Sequence, residues 1–229
     1  LVPDPNMFGG EVKGYTQMLS DSRLEAVERL RYACAQVGGN AVLLLNVPPA
    51  PLMPLWGTRL PHYHVVANLP YYITAAVLRH LLEATVRPAG MVVTVQREVA
   101  ERMIAVPDEM SVLAVSVQFY GKPRIGLRLK RGAFFPPPDV ESAVVRLDLY
   151  ATSSIPVTDV AHFFRVVRAG FAQRRKQLRN TLAATLALPV TDVVAALERV
   201  GVDATRRAET LTLEEWGQVA GALSCNMEA

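Results

Sequence analysis

From residue 64 onward the spacing of apolar positions changes several times, and each change marks an element. HVVAN (64–68) and MVVTVQ (91–96) are short apolar runs that predict buried strands. Between them, Thr74–Ala84 carries Val77, Leu78, Leu81 and Leu82 on one side, which predicts a helix, and 97–105 follows as a second helix. Strand, helix, strand, helix with apolar strands implies a parallel sheet covered on both faces. Residues 110–121 suit helix and strand equally. Residues 123–129 and 142–149 alternate as antiparallel strands joined through AFFPPPD, and after about residue 155 the pattern is helical only: 157–171, 174–187, 191–200 and 212–223. The fold class is therefore α/β, a Rossmann-like sheet of incomplete appearance with antiparallel last strands, plus a small all-helical C-terminal domain.

Upstream, Leu19, Leu24, Val27, Leu30, Tyr32 and Cys34 predict a helix over 16–36, and Gly38-Gly39 suits its C-cap. AVLLLNV (41–47) reads as a buried strand. Five prolines in the 14 residues of 48–61 forbid regular structure, so this stretch is a linker or an irregular wrap. Three parts are expected: an atypical segment over 1–60, an α/β domain over 61–152 and a helical domain over 153–229.

Composition narrows the class. With 229 residues, 51% hydrophobic and 20% charged, the chain is long enough for one sizeable core plus an appendage. Neither a membrane-spanning run nor a basic-then-apolar leader is present in the sequence, so a cytoplasmic location, no membrane partner and a monomer are the expectations. Cys34 and Cys225 lack ligand spacing, and His62 and His64 stand without a carboxylate or thiolate nearby, so no metal site is expected. His80 and His162 read as structural, and Glu98 and Glu101, beside Arg97 and Arg102, as a solvated ion-pair face.

Charge is more informative in its distribution than in its total of +3. Lys122, Arg124, Arg128, Lys130 and Arg131 form one run without a carboxylate; Arg165, Arg168, Arg174, Arg175, Lys176 and Arg179 form another. Two single-sign runs imply a polyanion, because clustered cations release counterions when they meet phosphates; a solvated helix face is the alternative. The spacing puts Arg175 and Arg179 on one helical face, and Arg206-Arg207 extends the patch.

Asn68-Leu69-Pro70-Tyr71 occupies the carboxyl end of the HVVA strand, where open α/β sheets place their ligands. The amide oxygen of Asn68 and the carbonyl of Leu69 are two acceptors, Pro70 stiffens the turn and removes a competing N–H, and Tyr71 offers a flat surface. These parts suit a planar ring with an exocyclic amine, such as adenine. Two acceptors on that amine favour a more tetrahedral nitrogen able to attack an electrophilic methyl. An Asx-turn capping the next helix, with tyrosines packed in the core, is the structural alternative.

The segments NLPYYIT (68–74), VQREVAERM (95–103), SVLAVSVQFYG (111–121), GAFFPPPDVESAVVRL (132–147) and FAQRRKQLRNTL (171–182) occur in this order. Together they resemble the bacterial small-subunit rRNA adenine N6-dimethyltransferases, relatives of the erythromycin-resistance methylases, over about His62–Leu223. The resemblance implies that Asn68 and Leu69 hold the target amine, with Asn68 also at the cofactor. It further implies that Tyr71 and Phe134 stack on the base, with Pro136–Pro138 stiffening the second loop. The helical domain would contact small-subunit rRNA of a 30S-type particle through Arg174, Arg175, Lys176 and Arg179, and Arg124, Arg128, Lys130 and Arg131 of the α/β domain are RNA-binding candidates beside it. The implied cofactor is S-adenosylmethionine. A base held between aromatics must leave its stack, as in enzymes that act on flipped or single-stranded nucleotides.

One departure matters. Members of that family carry an acidic residue and a Gly-x-Gly-x-Gly turn after their first strand, and another acidic residue after the second; this chain has neither. Gly9-Gly10 and Gly38-Gly39 do not sit between a strand and a following helix, and residues 9–46 are instead similar to the small YbjQ-type family. Two readings follow: an rRNA adenine dimethyltransferase, or a non-catalytic RNA-binding relative without a methyl-donor site.

Overall fold

The protein is described here from a computed structural model, over residues 63–135 and 137–224. The expected helix at 16–36, strand at 41–47 and proline-rich stretch lie outside these residues. Four strands form one mixed sheet: β1 (His64–Asn68), β2 (Gly90–Gln96), β3 (Gly121–Leu129) and β4 (Ser142–Leu149), in spatial order β1-β2-β4-β3. β1 and β2 are parallel, with His64 opposite Gly90 and Asn68 opposite Thr94; β2–β4 and β4–β3 are antiparallel. The connection between the parallel pair is α1 (Thr74–Leu82), and α2 (Arg97–Met103) follows β2 directly.

Residues 110–121, which suit two structures by pattern, divide between them. Ser111 caps α3 (Val112–Tyr120) by accepting from the Ala114 amide at 3.2 Å. β3 then starts at once. Gly121 is needed there because a Cβ would lie 2.6 Å from the Asp148 carbonyl oxygen of the neighbouring strand. A bulge between Ile125 and Leu127 breaks the register of β3, an edge strand whose Pro123 has no central ladder to disrupt.

Burial alternates in β1, with Val65 and Ala67 inside and His64, Val66 and Asn68 outside, and Val92 of β2 is also exposed. Among the described residues, one face of the sheet is covered, and the alternation is that of a strand with a single packed face.

The covered face continues into the helical part: α4 (Val160–Phe171), α5 (Leu178–Leu186), α6 (Val190–Arg199) and α7 (Leu213–Ser224). Phe119 of α3 stacks on Phe163 of α4 at 4.9 Å between centroids, with Tyr120 and Phe164 edge-on to Phe119 at 4.8 and 5.3 Å. This aromatic group joins sheet and helices in one core. Met91, Met103 and Met110 fill it, and His162 is structural as expected, its Nε2 3.0 Å from the Ala220 carbonyl oxygen.

One correction concerns α5. It begins at Leu178, not at 174, because Gln177 is extended and the Leu178 and Arg179 amides donate to the carbonyls of Arg206 and Ala204 at 2.7 and 3.2 Å. Arg174, Arg175 and Lys176 therefore lie in the α4–α5 turn, and Arg175 does not share a helical face with Arg179.

Candidate nucleic-acid site

The sheet places its chemistry at one end. The chain leaves β1 at Asn68, and the Leu69 amide donates to the Thr94 carbonyl at 3.1 Å, extending the ladder by one bond before the turn. Leu69 buries its side chain, which fixes the peptide on either side of it. The Pro70 carbonyl accepts from the Ile73 amide at 3.2 Å and from Thr74 Oγ1 at 3.1 Å, so the turn closes onto the start of α1. Asn68 is exposed, and its amide has no hydrogen-bond partner among the described residues; the Leu69 carbonyl likewise accepts none there. An Asx-turn capping α1 is thereby ruled out, since no side-chain cap serves the turn at Tyr71–Ile73 or α1.

Tyr71 is half-buried, and its hydroxyl bonds Ser142 Oγ at 2.5 Å. Ser142 is itself buried at the first position of β4, opposite Gln96 of β2 and Leu129 of β3. The tyrosine is therefore oriented from the strand that ends the β3–β4 connection. The same junction is braced again: the Arg97 amide donates to the Glu141 carbonyl at 2.9 Å, and Arg97 Nη1 meets Glu141 Oε2 at 2.5 Å. Arg97 also pairs with Glu101 at 3.6 Å, so the expected ion-pair face exists and is partly spent on this brace.

Phe134 lies in that connection, half-buried and extended (φ −125°, ψ 152°). Thus Asn68, Leu69, Pro70 and Tyr71 share one turn, and Phe134 belongs to the loop that ends at Tyr71's own hydrogen-bond partner. Pro136 lies outside the described residues. Ser142 and Glu141 were not singled out by sequence, since Ser142 stands 71 residues from Tyr71 and no local pattern links them.

The basic residues occupy two other places. Arg124 and Arg128 are exposed on β3, Lys130 and Arg131 at its end, with Arg131 Nε donating to the Pro138 carbonyl at 2.9 Å. Arg174, Arg175 and Lys176 are exposed on the α4–α5 turn, where Arg174 reaches Glu209 at 3.8 Å; Arg179 is half-buried, with Nε 3.1 Å from Gln177 Oε1. Arg206 departs from the expected patch. Its guanidinium bonds both carboxylate oxygens of Glu215 at 2.5 and 3.1 Å and the Thr210 carbonyl at 2.6 Å, which holds the Glu215 carboxyl below the ordinary carboxylate range.

Two cavities lie elsewhere. One of about 570 Å³ is lined by Glu98, Glu101, Asp108, Glu109, Arg174 and neighbours; the other, of about 470 Å³, by Ile104, Val106, Tyr150 and neighbours. Asn68, Pro70 and Tyr71 stand instead at an open end of the sheet. No group of three His, Cys, Asp or Glu side chains suited to a metal occurs among the described residues, and no described helix is long and apolar enough to cross a membrane.

S-adenosylmethionine needs backbone that its nucleoside can approach closely, which glycine-rich strand–helix turns provide. The described turns do not fit it: residues 69–73 after β1 contain no glycine, and β2 passes from Gln96 straight into α2. β1, where such a half-sheet would join, pairs only with β2 among the described residues.

Sheet order and site position together define a Rossmann-like methyltransferase fold. The solved 23S rRNA methyltransferase ErmE is similar over 79% of this chain and 69% of its own, with TM-score 0.56 and 23% identity. A dimethyladenosine transferase from Plasmodium falciparum is similar over 71% and 67%, with TM-score 0.60 and 22% identity. The chain belongs to the family described as ribosomal RNA adenine dimethylase, whose model matches residues 59–224. Ribosomal RNA small subunit methyltransferase A of Dehalococcoides mccartyi is 46% identical over 173 residues, which cover 76% of this chain and 58% of that protein. The Moorella thermoacetica protein of the same name is 44% identical over 167 residues, 72% and 58% of the two chains. The chain thus spans a little under three fifths of the length of these relatives. A second family model, described as putative heavy-metal-binding, matches residues 5–54, outside the described residues and in accord with the YbjQ-type resemblance.

Proposed function

We propose that this chain acts in N6-dimethylation of adenosines in small-subunit rRNA during ribosome assembly, and that its described residues are the part that receives the base. The observation that carries this reading is a pair of acceptors at the end of β1, the Asn68 amide and the Leu69 carbonyl, that have no partner among the described residues and stand beside a tyrosine oriented from β4. In this reading both acceptors take the hydrogens of the adenine amine. This draws the nitrogen lone pair out of conjugation and aims it away from the sheet edge. Tyr71 and Phe134 hold the ring by stacking. No general base is assigned, because the methylated amine can lose its proton to solvent.

The exposed cations on and just after β3, Arg124, Arg128, Lys130 and Arg131, those of the α4–α5 turn, Arg174, Arg175 and Lys176, and the half-buried Arg179 of α5 contact phosphate and thereby set position rather than sequence. The protein works as a monomer in the cytoplasm. The methyl donor of the family, S-adenosylmethionine, supplies an electrophilic methyl group when bound. The absence from the sequence of a Gly-x-Gly-x-Gly turn between a strand and a following helix favours a second reading, a non-catalytic RNA-binding relative.

Calorimetric titration with S-adenosylmethionine separates the two. Micromolar binding supports catalysis, and no heat supports the assembly-factor reading. In a protein that binds the donor, Asn68→Ala should lower methylation of small-subunit RNA by about a hundredfold or more with RNA affinity kept. Unchanged turnover in that variant would remove Asn68 from the mechanism.

A further inference from the structure

Two aromatic side chains at the candidate site point away from the protein. Phe135 is 99% exposed and Tyr72 is 88% exposed. Single exposed apolar residues are ordinary on protein surfaces, so exposure alone carries nothing here. What distinguishes these two is where they stand. Each directly follows a residue that the base-gripping arrangement uses: Tyr72 follows Tyr71, and Phe135 follows Phe134.

The backbone explains the outward aim of Phe135. Phe134 is extended, and successive side chains of an extended chain point to opposite sides, so a half-buried Phe134 sends Phe135 outward. The loop that carries it is closed by Arg131 Nε on the Pro138 carbonyl at 2.9 Å, and the Ala133 amide donates to the Lys130 carbonyl at 3.0 Å. Tyr72 stands in the turn fixed by the Pro70 carbonyl. Both rings are thus held on braced backbone at the same end of the sheet, where β1 finishes and β4 begins.

We infer that Phe135 and Tyr72 are stacking platforms for the nucleobases that flank the target adenosine in a single-stranded or splayed RNA, an inference that rests on the reading of the site given above. A base that leaves its stack exposes the faces of its two neighbours, and flat apolar rings beside cations recover that contact. The cations are present: Lys130 and Arg131 lie within five residues of Phe135 and are exposed, and no carboxylate occurs from Lys122 to Pro138. That one-sided charge selects a polyanion over a protein partner as the occupant. The aromatic pair accounts for grip on neighbours of any sequence, since every base has a stacking face.

The test uses the full chain and a short single-stranded RNA with one central adenosine, read by fluorescence anisotropy. Phe135→Ala and Tyr72→Ala should each weaken binding roughly tenfold, and Phe135→Trp should keep it. The slope of affinity against salt should stay unchanged in all three, because no phosphate contact is lost. Replacing the nucleotide on one side of the adenosine by an abasic site should cost the unaltered protein the same factor, and should cost the matching alanine variant nothing further. Melting temperatures should not move. Equal affinity of both alanine variants for an RNA that the unaltered protein binds overturns the platforms and leaves the adenine site standing. A lowered melting temperature for Phe135→Ala overturns them too, since the ring would then pack on its own chain. No binding of RNA by the unaltered protein overturns both readings together.

Discussion

At the end of β1 two acceptors lack partners among the described residues and two aromatic rings face outward, whereas the guanidinium of Arg206 and the carboxylate of Glu215 are fully engaged. The guanidinium of Arg206 meets Glu215 and Thr210; Glu215 Oε2 also accepts from the Thr212 amide at 2.7 Å, and Thr212 Oγ1 accepts from the Glu215 amide at 3.1 Å. This reciprocal pair is a capping box at the start of α7, with an ion pair added to it. Next to it Trp216 is fully buried against Gly170, held by packing alone, since its Nε1 has no hydrogen-bond partner among the described residues. Residue type does not separate these regions, since both hold arginines, aromatics and amide or carboxylate oxygens. Partner saturation does. Polar groups that the fold leaves unpaired at a rigid sheet end remain available to a ligand, and those that it saturates hold the chain together.

The largest expected effect breaks the saturated side. Trp216→Ala removes a fully buried ring that packs 5.5 Å from Phe171 and should cost about 3–5 kcal/mol in denaturant unfolding. Adenine binding by the residual folded protein should be unchanged, because no described contact links this ring to β1. Reversal of Arg174, Arg175 and Lys176 to glutamate tests the opposite case. These side chains are exposed, so stability should hold, while affinity for small-subunit RNA should fall by about a hundredfold and the salt slope by about 2–3. Unchanged affinity at moderate salt removes this turn from the interface. Gly170→Ala comes third: a Cβ there would stand 2.3 Å from Trp216 Cη2, so one methyl should destabilise the protein by about 1–3 kcal/mol on thermal unfolding.

Much of the sheet was legible because β1 and β2 are short apolar runs, and α1 and α4 bury one side each. The turn at Asn68–Tyr71 was legible for a different reason: an amide and a proline at a strand end are local signals. The brace of Tyr71 by Ser142 was not, because a hydroxyl pair 71 residues apart leaves no trace in spacing. Arg206 was misread on the same ground. Its charge is visible in sequence, but its partner Glu215 is nine residues on and in another element. The start of α5 was also hidden, since backbone donors at Leu178 and Arg179 are satisfied by carbonyls of a loop some 25 residues later.

The smallest effect gives the sharpest discrimination, because it depends on pH. Glu215 is held below its ordinary value chiefly by the hydrogen bond from Arg206; burial opposes this as the next largest effect, and the Thr212 amide adds to the lowering. A carboxyl whose folded pKa is depressed binds its proton more readily when unfolded. It therefore adds stability that is present above the unfolded value, about 4.3, and that is lost as pH falls through the lower folded value. Glu215→Gln keeps the shape and an acceptor for Thr212 but removes the charge. At pH 7 it should cost about 1 kcal/mol, given that both partners are partly exposed. Below the ordinary glutamate range the two proteins should converge in urea unfolding. RNA affinity should be the same in both at pH 7, since Arg206 serves the fold; a tighter-binding Glu215→Gln protein would show that releasing Arg206 adds a phosphate contact, and would return this arginine to the basic patch.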